Sequence, residues 1–168
     1  MIVVVCGSSR SDKDSVKAIS NQDRAAIASL AFGGMKNVEL DFYDPEHDTY
    51  TPTYLLEERY ASKYPEAEIW HVVGTDLVCG GREKNSQIQK SWQRGQEIWE
   101  SLKFFIIARP GYELSPGDVP PVSKVCEIQR IFGSGTMIRE MIKNHEDASS
   151  LVSEDVLAYI QDKHLYGS

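Results

Sequence analysis

Short apolar runs alternate with amphipathic stretches along this chain, and that order constrains the fold more than any other feature. The runs that predict strands cover residues 2–6, 38–42, 69–74, 104–108 and 125–131. Stretches with apolar residues at helical spacing lie between them. Strands that alternate with helices require crossover connections, which produce a parallel sheet. We therefore expect an α/β fold in which a Rossmann-like parallel sheet is flanked by helices.

Local signals predict where several helices begin and end. Ser20 with Asp23 resembles a capping box. Thr51 is predicted to cap a helix that has Pro52 at its first position. Two further helices are expected after residues 135 and 153. One continuous helical face is predicted for Ile88, Trp92, Trp99 and Leu102.

Length and charge limit the classes of protein to consider. The chain has 168 residues, which is the length of one domain, so we expect a single domain over residues 1–168. Eighteen basic and twenty-five acidic side chains give a net charge of −7, which disfavours binding to nucleic acid or to an anionic membrane. The apolar runs are too short to span a bilayer. The oligomeric state stays open, and a homo-oligomer is compatible with the sequence.

Cysteine usage bears on the cellular compartment. Cys6, Cys79 and Cys126 are odd in number, widely spaced and form no Cys-x-x-Cys pair. This pattern favours a reducing compartment and disfavours structural zinc, so we expect no metal held by the protein itself. We predict a cytoplasmic location, with a nuclear location equally compatible.

The segment from Gly133 to Arg139 carries the strongest chemical signal. It reads Gly-Ser-Gly-Thr-Met-Ile-Arg and leads from a predicted strand into a predicted helix. Ser134, Thr136 and the free amides of the first helical turn can donate to phosphate oxygens, and Arg139 lies one turn further along. The alternative interpretation is an ordinary helix cap followed by a solvated arginine.

Two other segments follow predicted strands and carry weaker signals. Asp76 follows a predicted strand in the sequence Gly74-Thr75-Asp76, and it could hold a ribose hydroxyl, help to hold a metal-bound phosphate or cap a helix. Ser8 and Ser9 follow the first strand, where hydroxyls next to a glycine can bind phosphate. Trp92 could stack on an aromatic ring or pack in the core. The sequence contains no Walker A motif, no Gly-x-Gly-x-x-Gly and no His-Glu-x-x-His.

Taken in order, these segments resemble a known family over nearly the whole chain. The ordered set consists of Gly74-Thr75-Asp76, Trp92, Arg109-Pro110-Gly111-Tyr112, Ser134-x-Thr136-x-x-Arg139 and Val156-Leu157-x-Tyr159-Ile160. It is similar to the nicotinate and nicotinamide mononucleotide adenylyltransferases, which belong to the cytidylyltransferase-like nucleotidyltransferase superfamily. The sequence leaves the choice between the nicotinate and the nicotinamide substrate open.

The resemblance implies an enzyme of NAD biosynthesis that binds small-molecule nucleotides. It would transfer AMP from ATP, with Mg²⁺, to the pyridine mononucleotide and release pyrophosphate. Ser134, Thr136 and Arg139 would hold the ATP phosphates, and Gly74 and Asp76 would contact the nucleotide. The substrate-binding residues that the resemblance implies are Trp92, Lys13, Arg24, Thr51 and Arg109, with Trp92 stacked on the pyridine ring.

The chain departs from the family pattern at its beginning. The family starts with a strand, a Gly-rich turn and a His-x-Gly-His motif, whereas the first strand here matches the second strand of the family and His-x-Gly-His is absent. We expect that an N-terminal strand and helix are missing, which would leave buried strand edges unpaired. The catalytic residues are therefore unknown. Loss of preorganised donors predicts slow turnover or none, because one such donor contributes about 10²–10³ in rate.

Two alternative functions stay open at this point. The first strand with Gly7-Ser8-Ser9-Arg10 resembles the phosphate loop of NADPH-dependent FMN reductases, which have a flavodoxin-like fold. The second alternative is a non-catalytic relative that binds nucleotide without turnover, and the absent His-x-Gly-His motif supports it. A flavin absorbance spectrum distinguishes the reductase, and ATP binding without product distinguishes the non-catalytic relative.

Overall fold

A computed structural model describes residues 1–9, 19–126 and 133–167 of the chain. The strands are β1 (Ile2–Val4), β2 (Glu39–Asp41), β3 (His71–Gly74), β4 (Phe104–Ile107) and β5 (Ser123–Cys126). The helices are α1 (Asn21–Phe32), α2 (Tyr43–Glu46), α3 (Thr53–Lys63), α4 (Thr75–Val78), α5 (Gln87–Ser91), α6 (Gly95–Ser101), α7 (Gly135–Lys143) and α8 (Glu154–Asp162). Two 3₁₀ turns cover Gly81–Glu83 and Leu165–Gly167.

All strand pairs among the described residues are parallel, which confirms the predicted α/β class. The strands form two sheets, with β1 beside β2 in one and the order β3-β4-β5 in the other. Val3 pairs with Leu40 in the first sheet, and Val73 pairs with Ile106 in the second. Helices connect β1 to β2 and β3 to β4, whereas a segment without helix connects β4 to β5.

The chain divides into two compact units. Unit 1 contains Met1–Thr51 and Gly133–Ser168, and unit 2 contains Pro52–Phe132. Unit 1 holds β1, β2, α1, α2, α7 and α8, and unit 2 holds the remaining elements. The expectation of a single domain stays a prediction.

Unit 2 is built around its central strand. Phe104 and Ile106 of β4 are fully buried, because β4 has a strand on each side and its sequence is apolar throughout. They belong to a cluster of buried side chains with Val73, Val78, Ile88, Ile98 and Trp99. The cluster fixes the carboxyl ends of β3 and β4, from which the next loops begin.

Unit 1 has a smaller core between its helices. Ile142 of α7 packs with Val156 and Ile160 of α8, and partly buried side chains of α1 cover them. The hydroxyl of Tyr159 donates to the Asp23 carboxylate at 2.9 Å, which joins α8 to the first turn of α1. Ser20 caps α1 as predicted, because its side chain accepts from the Asp23 amide at 3.0 Å. These contacts position the beginning of α7.

The predicted continuous helix over residues 88–102 is wrong. The structure has two short helices there, and Trp92 adopts an extended conformation at the end of α5. Arg94 follows with φ of 58°, in the left-handed region. A Cβ on Gly95 would lie 2.1 Å from the Ile88 carbonyl oxygen, so this close turn requires glycine. The turn places Ile88 and Trp99 in one core despite the break.

The predicted role of Thr51 as a helix cap is also wrong. Pro52 occupies the cap position and α3 begins at Thr53. Thr51 is buried, and its amide and hydroxyl donate to the two carboxylate oxygens of Asp44, at 2.9 Å for the amide. Asp44 is only 1% exposed, so this pairing satisfies a carboxylate that burial would otherwise disfavour.

The fifth predicted strand, over residues 125–131, begins earlier than expected, because β5 covers Ser123–Cys126, and residues 127–131 lie outside the described residues. In the described part of the chain, no helix has the length and apolar character needed to cross a bilayer.

Candidate functional site

The beginning of α7 presents several hydrogen-bond donors at the surface. Ser134 is extended at the cap position, and its side-chain oxygen accepts from the Met137 amide at 3.1 Å. The amides of Gly135 and Thr136 precede the first intrahelical hydrogen bond, so the helix itself does not satisfy them. Ser134, Gly135 and Thr136 are all exposed. The predicted cap is therefore confirmed, and donors are available beside it.

Arg139 folds back over this helix terminus. Its Nη2 donates to the Thr136 hydroxyl oxygen at 3.2 Å. Its Nη1 lies 3.0 Å from the position that a Cβ on Gly135 would occupy. The hydroxyl hydrogen of Thr136 remains able to donate, because its oxygen is the acceptor in this contact. Arg139 thus adds a guanidinium to a helix N-terminus, where the backbone already favours an anion.

A second guanidinium, that of Arg24 in α1, lies close to this group. Its Nε and Nη2 atoms are buried and have no hydrogen-bond partner in the described part of the chain. Burial lowers the pKa of Arg24 and the charge of Arg139 lowers it further, whereas the Tyr166 phenol and the Cys6 thiol raise it. Cys6 follows β1, so Arg24 lies near the carboxyl end of a parallel strand, where α/β folds bind ligands.

No carboxylate in the described residues forms an ion pair with Arg24 or Arg139. Two like charges with unused donors, next to a helix N-terminus, suit an anion with several oxygens. Phosphate groups have this chemistry. We call Arg24, Ser134, Thr136 and Arg139 the α7 cluster.

Tyr166 belongs to the same neighbourhood, and sequence reasoning missed it. Burial raises the pKa of its phenol, although the Arg139 and Arg24 charges act in the opposite direction. The phenol therefore stays neutral at physiological pH. Its ring packs against the core of unit 1. No motif at the sequence level marks this tyrosine, because its proximity to the two arginines depends on the packing of the 3₁₀ turn.

The described beginning of the loop after β1, up to Ser9, does not offer a free phosphate site. The Ser8 hydroxyl donates to the Asp48 carboxylate at 2.8 Å, and the Ser9 hydroxyl donates to the Asp48 carbonyl oxygen at 2.6 Å. The Asn21 side chain donates to the same carboxylate at 3.0 Å. These hydroxyls are engaged, and a carboxylate beside them repels phosphate. Lys13, predicted to contact the mononucleotide, lies outside the described residues.

The predicted residues of unit 2 form a second group at the carboxyl ends of β3 and β4. The Arg109 guanidinium donates to Asp76 Oδ2 at 3.1 Å, and the Arg109 amide donates to the Thr75 hydroxyl at 2.9 Å. A Cβ on Gly74 would lie 2.3 Å from Asp76 Oδ1, so the glycine permits this close approach. Asp76 Oδ1 is buried and has no partner among the described residues. Asp76 is in the first turn of α4 and does not cap it.

Trp92 is half-buried and packs against the core cluster of unit 2. Its neighbour Arg94 stacks on the Tyr54 ring, with 4.8 Å from the guanidinium carbon to the ring centroid, and pairs with Glu97. The predicted stacking of Trp92 on a pyridine ring stays a prediction.

A cavity of about 560 Å³ in unit 1 is lined by residues of α7, α8 and the segment between them. None of the predicted site residues lines it. Glu146 and Asp147, which line the cavity, would repel a phosphate, so we do not assign the anion to it.

Several known proteins similar to this chain are named probable nicotinate-nucleotide adenylyltransferases. A probable nicotinate-nucleotide adenylyltransferase of Geobacillus thermodenitrificans is 27% identical over 157 residues, which are 93% of this chain and 67% of the relative. One from Leifsonia xyli is 30% identical over 144 residues, 85% of this chain and 66% of the relative. No protein-family model matches the chain.

Solved structures agree on the fold. Plasmodium falciparum nicotinic acid mononucleotide adenylyltransferase complexed with NaAD has a TM-score of 0.75 at 21% identity. The alignment covers 98% of this chain and 81% of that protein. The same enzyme complexed with APC has a TM-score of 0.73 at 19% identity. The sequence relatives support assignment of the chain to the nicotinate-nucleotide adenylyltransferases, and the solved structures support a nucleotidyltransferase fold.

Proposed function

We propose that this protein transfers an adenylyl group from ATP to nicotinate or nicotinamide mononucleotide in NAD biosynthesis. The observation that carries the proposal is the α7 cluster, in which two guanidinium groups without carboxylate partners lie at a helix N-terminus. Nucleotide phosphates supply the negative charge that this cluster lacks. The similarity to nicotinate-nucleotide adenylyltransferases supplies the mononucleotide as the acceptor of the adenylyl group.

In the reaction, a phosphate oxygen of the mononucleotide attacks the α-phosphorus of ATP. The bond from the α-phosphorus to the oxygen that bridges to the β-phosphate breaks, and pyrophosphate leaves with that electron pair. Ser134, Thr136 and Arg139 would hold the β- and γ-phosphates and stabilise the charge on the leaving group. Arg24 would reach the phosphates from α1. Catalysis would arise from positioning, and no covalent enzyme intermediate is required.

Mg²⁺ would come with ATP as part of the substrate. The described residues contain no group of three or more His, Cys, Asp or Glu side chains that could hold a metal ion. We therefore expect Mg²⁺ to be bound mainly by phosphate oxygens and water, which is how it commonly binds at nucleotide sites.

The residues of unit 2 would recognise the nucleosides. Asp76 Oδ1 has an unused acceptor, which suits a ribose hydroxyl. Gly74 permits the close approach of this carboxylate, and Arg109 holds it through Oδ2. Trp92 would stack on the pyridine ring. Lys13 and Thr51 remain proposed contributors to substrate binding, although Thr51 is engaged with Asp44.

The test is dinucleotide formation from ATP, Mg²⁺ and each mononucleotide, followed by chromatography. We expect slow product formation, since the sequence lacks His-x-Gly-His. Arg139→Ala should lower kcat/KM by about 100-fold, because it removes a charged donor to the phosphates. Lys143→Ala at the other end of the same helix should leave the rate unchanged. An equal loss in both variants would contradict the role of Arg139.

Binding measurements separate catalysis from simple recognition. ATP that binds the chain calorimetrically and yields no dinucleotide would favour the non-catalytic relative and overturn the proposed reaction. A yellow protein with flavin absorbance would favour the reductase. The hydrogen bonds of Ser8 and Ser9 to Asp48 speak against that alternative. We also expect a cytoplasmic location, since all three cysteines are free.

A further inference from the structure

The side chain of Thr75 is buried at the carboxyl end of β3. Thr75 is 2% exposed and begins α4 directly after Gly74. Its hydroxyl oxygen accepts a hydrogen bond from the Arg109 amide at 2.9 Å. Arg109 follows β4, which pairs with β3 in parallel and places Ile107 opposite Gly74. This hydrogen bond therefore joins the two segments that continue from the carboxyl ends of β3 and β4.

The Thr75 hydroxyl replaces an acceptor that the sheet no longer supplies. The amides of Phe104 and Ala108 donate toward β5, so by alternation along β4 the Arg109 amide points toward β3. There the chain has already turned into α4, and the Thr75 carbonyl oxygen accepts from the Cys79 amide at 3.0 Å. The hydroxyl accepts from Arg109 instead, and it fixes the main chain at the point where β4 ends.

The side chain of Arg109 passes close to Gly74 on its way to Asp76. A Cβ on Gly74 would lie 2.6 Å from Arg109 Nε and 2.9 Å from Arg109 Cδ. The same Cβ would lie 2.3 Å from Asp76 Oδ1, so an alanine there would displace both side chains. Beyond Gly74, Arg109 Nη1 donates to Asp76 Oδ2 at 3.1 Å. This close route depends on where the main chain of Arg109 is fixed.

The pairing with Arg109 leaves part of the Asp76 carboxylate unused. Its Oδ1 is buried and has no hydrogen-bond partner in the part of the chain that the structure describes. The side chain as a whole is 25% exposed, so a ligand can reach the carboxylate. Buried polar atoms are normally satisfied, and a ligand hydroxyl has the donor that this carboxylate lacks.

We propose that Thr75 is a positioning residue for Asp76 and acts through Arg109. Its hydroxyl fixes the Arg109 main chain, and the Arg109 guanidinium then holds the Asp76 carboxylate toward a ligand hydroxyl. This inference rests on the proposed function for the identity of that group, a ribose hydroxyl of ATP. Loss of the Thr75 hydroxyl should therefore weaken the preference of the protein for a ligand that carries the ribose hydroxyl.

The experiment measures Kd for ATP, 2′-deoxy-ATP and 3′-deoxy-ATP by isothermal titration calorimetry. The ratio of Kd for a deoxy compound to Kd for ATP reports the contribution of one ribose hydroxyl, and we call it the ribose preference. In the wild type we expect one of the two ratios to be about 10 or more, the effect of a hydrogen bond to a charged group. Asp76→Ala should abolish this preference.

Thr75→Val and Thr75→Ser separate the hydroxyl from the rest of the side chain. Valine has nearly the same shape as threonine and no hydroxyl, so the ribose preference should fall at least about threefold. Serine keeps the hydroxyl and loses a methyl group, so it should retain the preference. A merely structural role for Thr75 would change the melting temperature and leave the preference intact in both variants.

Ser86→Ala is the matched control in the same unit. Ser86 is 0% exposed, and its hydroxyl oxygen accepts from the Gln89 amide at 3.2 Å in the cap of α5. It is a buried hydroxyl with the same kind of hydrogen bond, so its loss should lower the melting temperature and leave the ribose preference unchanged. A fall in preference as large as that in Thr75→Val would count against the inference.

The outcomes separate this inference from the proposed function. An unchanged ribose preference in Thr75→Val would overturn the inference, even if the wild type forms dinucleotide. A fall in Thr75→Val that is absent in Thr75→Ser would support it, even if no dinucleotide forms and the proposed reaction is wrong. A wild-type chain that does not bind ATP, or binds it without a ribose preference, would overturn the inference as well.

Discussion

In unit 2, the basic side chains near the predicted site have acidic partners: Arg94 pairs with Glu97 and Glu58, and Arg109 pairs with Asp76. In unit 1, Arg24 and Arg139 have no carboxylate partner among the described residues. Both units belong to one acidic chain with a net charge of −7, so acidic residues are plentiful. Their absence beside these two arginines supports the proposed anion site.

The hydrophobic cores of the two units also differ. Phe104 and Ile106 of unit 2 are fully buried around a central strand, whereas the main cluster of unit 1 consists of three buried side chains between helices. Unit 2 therefore has the deeper packing, and unit 1 has the uncompensated charge. The comparison suggests that unit 2 contributes rigidity and unit 1 contributes anion affinity.

The largest effect expected is on the core of unit 2. Ile106→Ala should lower the free energy of unfolding by about 4 kcal/mol, because the side chain is 0% exposed and its removal leaves a cavity in the core of unit 2. Ile142→Ala in unit 1 should cost about 2 kcal/mol, since its cluster is smaller. Urea unfolding measures both. Val72→Ala, at a position that is 57% exposed, is the control. Equal losses at Ile106 and Ile142 would contradict the difference in packing.

The next effect concerns a buried carboxylate of unit 2. Asp118 is 5% exposed and accepts hydrogen bonds from the Ser115 amide at 2.9 Å and the Arg82 amide at 3.3 Å. Burial tends to raise its pKa, but hydrogen bonds from backbone amides and the Arg82 charge lower it overall. Asp118→Ala should cost about 2 kcal/mol at neutral pH, because two amides lose a charged acceptor.

The contribution of Asp118 to stability should depend on pH. The folded-state pKa of Asp118 is below the unfolded value of about 3.9, so its stabilisation is present above that pH and is lost as pH falls through the folded pKa. The stability of Asp118→Ala should therefore fall less than that of the wild type below about pH 4. Parallel acid-unfolding curves for the two proteins would be evidence against this role.

A smaller effect on melting temperature is expected when one arginine from each unit is replaced. Arg24→Gln should raise the melting temperature of the ligand-free protein by about 2 °C at low salt, because it removes repulsion with Arg139. Arg94→Gln should not raise it, since Arg94 pairs with Glu97 and stacks on Tyr54. Added salt should reduce the gain in Arg24→Gln. A gain of the same size in Arg94→Gln would remove the distinction between the units.

The smallest effect is expected at Asp48. Hydrogen bonds from Ser8, Asn21 and Ser9 lower the pKa of this exposed carboxyl group. Asp48→Asn should therefore leave the melting temperature nearly unchanged at neutral pH. An NMR titration of the wild type should show that Asp48 has a lower pKa than an ordinary aspartate. Titration at the ordinary value would mean that these hydrogen bonds are not maintained in solution.

The sequence predicted the fold class and the cap at Ser134, because alternation of strands with helices and a serine just before a helix are local patterns. It missed the break before Gly95 and the pairing of Thr51 with Asp44, since a close turn and a buried carboxylate are decided by tertiary packing. It named Arg24 but did not indicate its proximity to Arg139. It gave no sign of Tyr166, whose neighbours come from α1 and α7.

If the α7 cluster binds nucleotide phosphates as proposed, its arginines link the folding equilibrium to metabolite concentration. A ligand that binds only the folded chain stabilises it by about 2.7 kcal/mol at one hundred times its Kd. Here the binding group lies where two helices of unit 1 meet the end of β1, so opening of this region would release the ligand. The resistance of this region to a protease should therefore rise with the supply of nucleotide, and a cell short of ATP would degrade the protein sooner.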